Sequence, residues 1–378
     1  MNLKQILVEM LNRKASDLHI RVGIRPHLRV NGRLEQIAAE PFTIDDLNNI
    51  VGQILNDKQQ DRFRRKNEMD LALSVAKLGR FRINLFRQRG TTGIAIRAVN
   101  TVIPSFEDLN LPDSIRKLAM EKRGLIVITG TTGSGKSTTL ASMIEHMNAN
   151  RNDNILTVED PIEYIYRDKK CIVSQREVGA DTESFSTALR HALRQDPDVI
   201  LIGEIRDIDT MSIAMTAADT GHLVLTTLHT LNTVETISRI ISFYPPHQHQ
   251  QIRLLLAGTL KAVVCQRLLS RCDMPGRVPA LEVLISTAAV RDYLLDAEKT
   301  SAIPDLIEDG AQYGMMSFDQ SIMGLYKEGM ISFEEAMNQC TNPDEFDMRV
   351  RGIMAASDRW EGDGKNATEE QPDDIQKF

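Results

Sequence analysis

The run Gly130-Thr131-Thr132-Gly133-Ser134-Gly135-Lys136-Ser137 stands directly behind the apolar segment Leu125-Ile126-Val127-Ile128 and ahead of a helical pattern. Few folds accommodate strand, glycine loop and helix in that order, because the parts make sense only as a phosphate cradle at the edge of a parallel sheet. Three glycines let successive backbone N–H groups turn toward one anion, and Lys136 reaches its terminal oxygens. Ser137 offers a hydroxyl to Mg²⁺, and Thr138 continues the binding segment. Leu140, Met143, Ile144 and Met147 then recur at helical spacing, so a helix N-terminus follows the loop. A ligand with a Mg²⁺-bound triphosphate is the expectation.

Four short, continuous apolar runs, Leu125–Thr129, Ile155–Val158, Val199–Ile202 and Leu223–Thr227, alternate with helical stretches from Ser114 onward. Such runs predict a mostly parallel sheet covered on both faces, hence an α/β domain. Ligands bind at the carboxyl ends of such strands, and polar residues follow each run. Glu159, Asp160 and Glu163 follow the second run, Gly203 and Glu204 the third, and His229 the fourth. An acid after four apolar residues has the form of a Walker B strand, which makes Glu204 the candidate for Mg²⁺ alongside Ser137. Glu163 and Glu159 compete for the carboxylate that orients or deprotonates an attacking water. Pro161 suits a loop there rather than a continuing strand. His229 and His222 are candidates for sensing a γ-phosphate.

Residues 1–100 read as a separate, smaller α+β unit, with alternating strands near 17–22, 28–30, 33–35, 80–86 and 94–97 and a hairpin signal at Asn31-Gly32. Pro104 and Pro112 punctuate a linker over 101–113. The α/β domain is expected over 114–340, with a helical C-terminal part that includes a capping pattern at Ser332-Phe333-Glu334-Glu335. A C-terminal extension over 341–378 is acidic and reads as disordered from about residue 355, the stretch that contains the single tryptophan, Trp360.

Net charge is −7, but the residues from Ala355 hold seven acids against three bases, so the body is close to neutral. No electrostatic footprint for nucleic acid is present, and Arg62, Arg64, Arg65 and Lys66 read as a solvated helix face. Cys171, Cys265, Cys272 and Cys340 are scattered without a C-x-x-C pair, which favours reduced thiols over zinc or disulfides. No apolar run reaches the length of a membrane span, and a cytoplasmic protein is expected.

Five blocks in order, GTTGSGKSTTLASMI, ILTVEDPIEY, CIVSQREVG, ALRQDPDVILIGEIRD and TGHLVLTTLHT, resemble the secretion-type ATPases of type IV pili, especially retraction motors of the PilT and PilU kind. The resemblance covers nearly the whole chain. It implies a RecA-like P-loop ATPase domain behind a PAS-like N-terminal domain, ATP with Mg²⁺ as cofactors, and a homohexamer at the cytoplasmic face of the inner membrane. An inner-membrane pilus platform protein and a PilT-like primary motor are the implied partners. By the same blocks, Glu163 takes the catalytic carboxylate's place, Glu204 that of the Walker B acid, and His222 and His229 the His-box pair. Arg82 and Arg97 stand where the family draws arginines from its N-terminal domain, and they are favoured over Arg80. The motif AIRNLIRE of retraction motors appears as Ala289-Val290-Arg291-Asp292-Tyr293-Leu294-Leu295-Asp296, with one arginine lost. Sequence near the C-terminus looks more like PilU, the accessory retraction ATPase. The tetracysteine element usual in extension and secretion motors, the alternative reading, is not found; a nucleic-acid translocase on the same core is a more distant one.

Overall fold

A computed structural model describes residues 3–30, 32–76, 78–99 and 102–352. Asn31 and the acidic stretch from Ala355 with Trp360 lie outside the described residues. Among the described residues, thirteen strands fall into two sheets.

The N-terminal sheet comprises β1 (Asp17–Arg21), β2 (His27–Val30), β3 (Arg33–Gln36), β4 (Glu68–Val75), β5 (Gly79–Gln88) and β6 (Thr91–Ala98), in the order β3-β2-β1-β6-β5-β4. All pairs are antiparallel. Period-two alternation buries Leu18, Ile20, Phe81, Ile83, Leu85 and Ile96 on one face. The helices α1 (Leu3–Asn12), α2 (Ile44–Ile54) and α3 (Asp57–Lys66) add Ile6, Leu7, Met10, Leu47 and Phe63 to that core. Strand registers set Arg82 opposite Arg97, Arg97 opposite Asp17 and Asp17 opposite Arg29, one polar row on the other face. β4 is absent from the sequence expectations, although Met69, Leu71, Leu73 and Val75 alternate with Asp70, Ala72 and Ser74. On α3, Arg62, Arg64, Arg65 and Lys66 are exposed, and the last three complement the helix's C-terminal dipole.

The second sheet has seven strands: β7 (Gly124–Thr129), β8 (Asn154–Glu159), β9 (Ile172–Glu177), β10 (Val199–Ile202), β11 (Leu223–Leu228), β12 (Leu260–Ser270) and β13 (Arg277–Ile285). By compactness the chain forms two units, and the sheet's strands divide between them. The first unit contains the N-terminal sheet and β8 to β11, with β11-β10-β8-β9 running parallel in that order. Ile202 pairs with both Val158 and Thr226, so three strands end level with one another. Helix α4 (Asp113–Ala119) precedes β7 in the chain, and α5 (Lys136–Asn150), α6 (Phe185–Ala192) and α7 (Ile208–Asp219) connect β7 to β8, β9 to β10 and β10 to β11. On α5 the expected stripe Leu140, Met143, Ile144 and Met147 is buried, and β10 and β11 are buried along their whole length.

In the second unit the order is β13-β12-β7, with β12 parallel to β7 and antiparallel to β13. The sequence expectations lack this hairpin: the continuous apolar stretch around Ala262–Cys265 is a buried strand, which periodicity cannot tell from a buried helix. Helices follow it, as expected. Ser332 does cap the helix Phe333–Gln339, accepting the Glu335 N–H at 3.1 Å. Glu335 uses its carboxylate elsewhere, accepting the Ser270 N–H at 2.8 Å. All four cysteines are free thiols.

Phe81 sits at the centre of the N-terminal core with no exposed surface. Phe81→Ala is expected to cost about 3–5 kcal/mol, read as a lower denaturant midpoint; a loss under about 1 kcal/mol would mean this core does not hold the sheet.

Candidate nucleotide site

The phosphate loop belongs to the second unit. Gly130, Gly133 and Gly135 have φ of 143°, 82° and 92°, a region that side chains disfavour. Parallel pairing of Cys265 with Thr129 brings Gln266 level with Gly130. The buried Gln266 amide donates to the Ser134 carbonyl at 2.8 Å. A Cβ on Gly135 would stand 2.7 Å from that same amide nitrogen. Two glycines are therefore required by backbone twist and by a neighbour together.

Lys136 is buried, and its ammonium donates to the carbonyls of Gly130 at 2.8 Å and Thr131 at 2.9 Å. The charge is thus stationed on the concave loop rather than in solvent. Among the described residues the buried Ser134 hydroxyl has no hydrogen-bond partner, and an orphaned donor inside an anion cradle fits a phosphate oxygen. Thr131, Thr132 and Gly133 are exposed at the loop's tip. Helix α5 begins at Lys136, so its first N–H groups add to the cradle.

In the first unit, the level ends of β8 and β10 carry the acids that the sequence singled out. Glu159 closes β8 and is buried, accepting from the Thr157 hydroxyl at 2.7 Å and the Gln175 amide at 3.2 Å. Burial raises its carboxyl above the usual range, and the two hydrogen bonds only partly oppose that. Glu163 is exposed in the loop after the cis Asp160–Pro161 peptide. The neighbouring Tyr164 hydroxyl meets Thr138 Oγ1 of α5 at 2.9 Å. Two carboxyls four residues apart in the chain thus sit in opposite environments.

Glu204 follows β10 and forms an ion pair with Arg206, which also lies 4.0 Å from Asp160. The Arg206 side chain is 65% exposed, so it can leave the carboxylate at little cost. A serine hydroxyl and a carboxylate are the hard oxygen donors that Mg²⁺ takes when phosphates and water complete its shell. Ser137 and Glu204, both in this unit, fit that ion by donor type. Arg206 was not singled out from sequence, although its place two residues beyond Glu204 is a visible signal.

His229 follows β11 and is exposed. His222 precedes β11, and its Nδ1 lies 2.9 Å from the Ala217 carbonyl and 3.2 Å from Thr220 Oγ1. It lines a cavity of about 670 Å³ with Lys122, Arg151, Asp153 and Asp198, at the amino ends of the parallel strands. The structure therefore does not bring His222 to the acids, because a full strand length separates the two ends. Arg97 Nε donates to Asp17 Oδ1 at 2.8 Å while its side chain stays 62% exposed. Burial alone would raise Asp17, but hydrogen bonds from Ser16 and Arg97, with the Arg97 charge, hold it below the usual carboxylate value. Arg82 lies beside Arg97 in register and is half-buried.

The family model for the type II/IV secretion system protein matches residues 1–313. The type IV pilus ATPase PilU of Pseudomonas aeruginosa is 40% identical over 351 residues, covering 93% of this chain and 92% of the relative. The retraction ATPase PilT of the same organism is 39% identical over 346 residues, covering 92% of this chain and all of the relative. A crystal structure of the pilus retraction motor PilT with bound ADP aligns with a TM-score of 0.85 at 40% identity, covering 91% of this chain and 98% of that one. No helix among the described residues is long and apolar enough to cross a membrane.

Gly135→Ala is expected to weaken ADP binding by about tenfold or more, since the left-handed backbone and the Gln266 amide both resist a Cβ. Unchanged affinity by calorimetry would contradict that account. For Glu159 the folded state holds its proton more tightly than the unfolded chain. The stability it contributes is present in acid and is lost as pH rises from the ordinary carboxylate range through the raised value. Glu159→Gln should therefore raise Tm at neutral pH and change it little near about pH 4; an equal shift at both pH values would contradict the assignment.

Proposed function

Because the chain belongs to the type II/IV secretion system protein family and is an ATP hydrolase, we propose that it is a hexameric motor whose ATP turnover drives type IV pilus retraction, as a PilU-like partner of a PilT-like primary motor. The observation that carries the reading is the match to two pilus ATPases along more than nine-tenths of the chain. The protein would act from the cytoplasmic face of the inner membrane on a pilus platform protein.

The phosphate loop, from Gly130 to Thr138, holds the β- and γ-phosphates through main-chain N–H groups, the Lys136 ammonium and the Ser134 hydroxyl. Ser137 and Glu204 would hold Mg²⁺, which would supply positive charge to offset that of the phosphate oxygens. Glu163 orients the attacking water and accepts its proton. Its exposure supports this choice over Glu159, whose burial and inward hydrogen bonds point to a structural role. Arg82 and Arg97 supply positive charge where copies of the chain meet, and His229 senses the γ-phosphate from the end of β11. His222 is assigned to the opposite end of the strands and takes no part in the water's activation.

Lys136→Ala should abolish ATP turnover, and undiminished hydrolysis would remove the reading. Glu163→Gln should lower kcat by about a hundredfold or more, whereas Glu159→Gln should cost less than about tenfold; the reverse ranking would reassign the general base. In cells, loss of the protein should leave filaments that assemble but retract weakly. Bald cells would instead identify an extension motor.

A further inference from the structure

Arg80 lies on β5 of the N-terminal sheet, and Glu177 closes β9, 97 residues later. Arg80 Nη2 donates to Glu177 Oε2 at 3.1 Å, with the two side chains only 22% and 12% exposed. A largely desolvated ion pair of this kind has a definite geometry, because neither partner can leave without stranding the other's charge. The same Glu177 oxygen faces the Ile162 N–H at 3.4 Å. Ile162 is the residue before Glu163.

Two residues back on β9, Gln175 holds the same loop from the other side. Its amide donates to the Tyr164 carbonyl at 2.9 Å, and its carbonyl oxygen accepts the Tyr166 N–H at 3.0 Å. The loop is therefore fastened at 162, 164 and 166, and the fastened positions bracket the exposed Glu163. A carboxylate held this way is placed by its backbone, since its own side chain has room to move.

We propose that Arg80 and Glu177 are positioning residues for Glu163, forming a link through which the N-terminal sheet sets the place of the water-activating loop. This rests on the reading of Glu163 given above. Arg80 acts on this protein's own carboxylate in this scheme, and a role on the nucleotide's phosphates is not part of it. Displacement of the sheet by a load would shift Glu177, then Ile162, and so slow hydrolysis without loosening the nucleotide. A misplacement of about 1 Å in such a group costs on the order of a hundredfold.

The test uses the full chain with Arg80→Ala, Glu177→Gln, their double variant, Glu163→Gln, and Arg80→Ala combined with Glu163→Gln. Steady-state kcat and KM for ATP, ADP affinity and Tm are read for each. Arg80→Ala and Glu177→Gln should each lower kcat by about 10- to 100-fold while KM and ADP affinity stay within about twofold. The double variant should be no worse than the worse single one, and Arg80→Ala should add nothing once Glu163 is gone. Glu177→Gln keeps the side chain's shape and an acceptor for Ile162, so it guards against a variant that merely fails to fold. Loss of ADP affinity on Arg80→Ala, multiplying effects in the double variant, or a further fall in the Glu163→Gln background would each overturn the link. If Glu163→Gln itself retains full kcat, it is the general-base reading that fails. If Glu163→Gln falls and Arg80→Ala does not, only the link fails.

Discussion

A glycine loop keeps a phosphate-shaped curve only if something behind it resists collapse, and here that backing is Gln266 of β12. Its register against β7 is what brings it to Gly130, and its amide fastens the Ser134 carbonyl while filling the space a Cβ would need at Gly135. The Lys136 ammonium is stationed on the same curve by two carbonyls. The cradle is thus organised by the strand pairing of its own unit, and the parts of a nucleotide site follow from that pairing.

The acids show how one fold separates two identical functional groups. Glu159 ends a strand buried on both faces and is held by Thr157 and Gln175, so burial pushes its proton affinity up and turns it inward. Glu163 stands beyond Pro161 on a loop that reaches solvent. Glu204 illustrates a third condition, an acid shared with an exposed arginine that a stronger cation can displace.

Motor ATPases need their chemistry to respond to the position of parts that bear load. The N-terminal sheet contributes a row of arginines on its polar face, of which Arg97 stays exposed while bonded to Asp17. Arg80, on the same strand as Arg82, instead turns its charge to Glu177 within the first unit. Arginines of one sheet are thereby divided between the polar row and an internal contact.

The phosphate loop, the helix stripe behind it, the four apolar strands and the acids after them were legible in the sequence because each is a local pattern with a local cause. Glycines answer to backbone twist, and apolar runs answer to burial on both faces. The hairpin of β12 and β13 and the partners of each acid were not legible. Leu260–Ser270 reads equally as helix or strand until β7 offers a register, and nothing near residue 80 announces Glu177. His222 and His229 were both candidates, His229 favoured by its place after an apolar run, and the direction of β11 sets them at opposite ends of one strand. Local composition therefore determined what chemistry this protein holds, while pairing between distant segments decided which residue stands beside which, because only long-range contact fixes register.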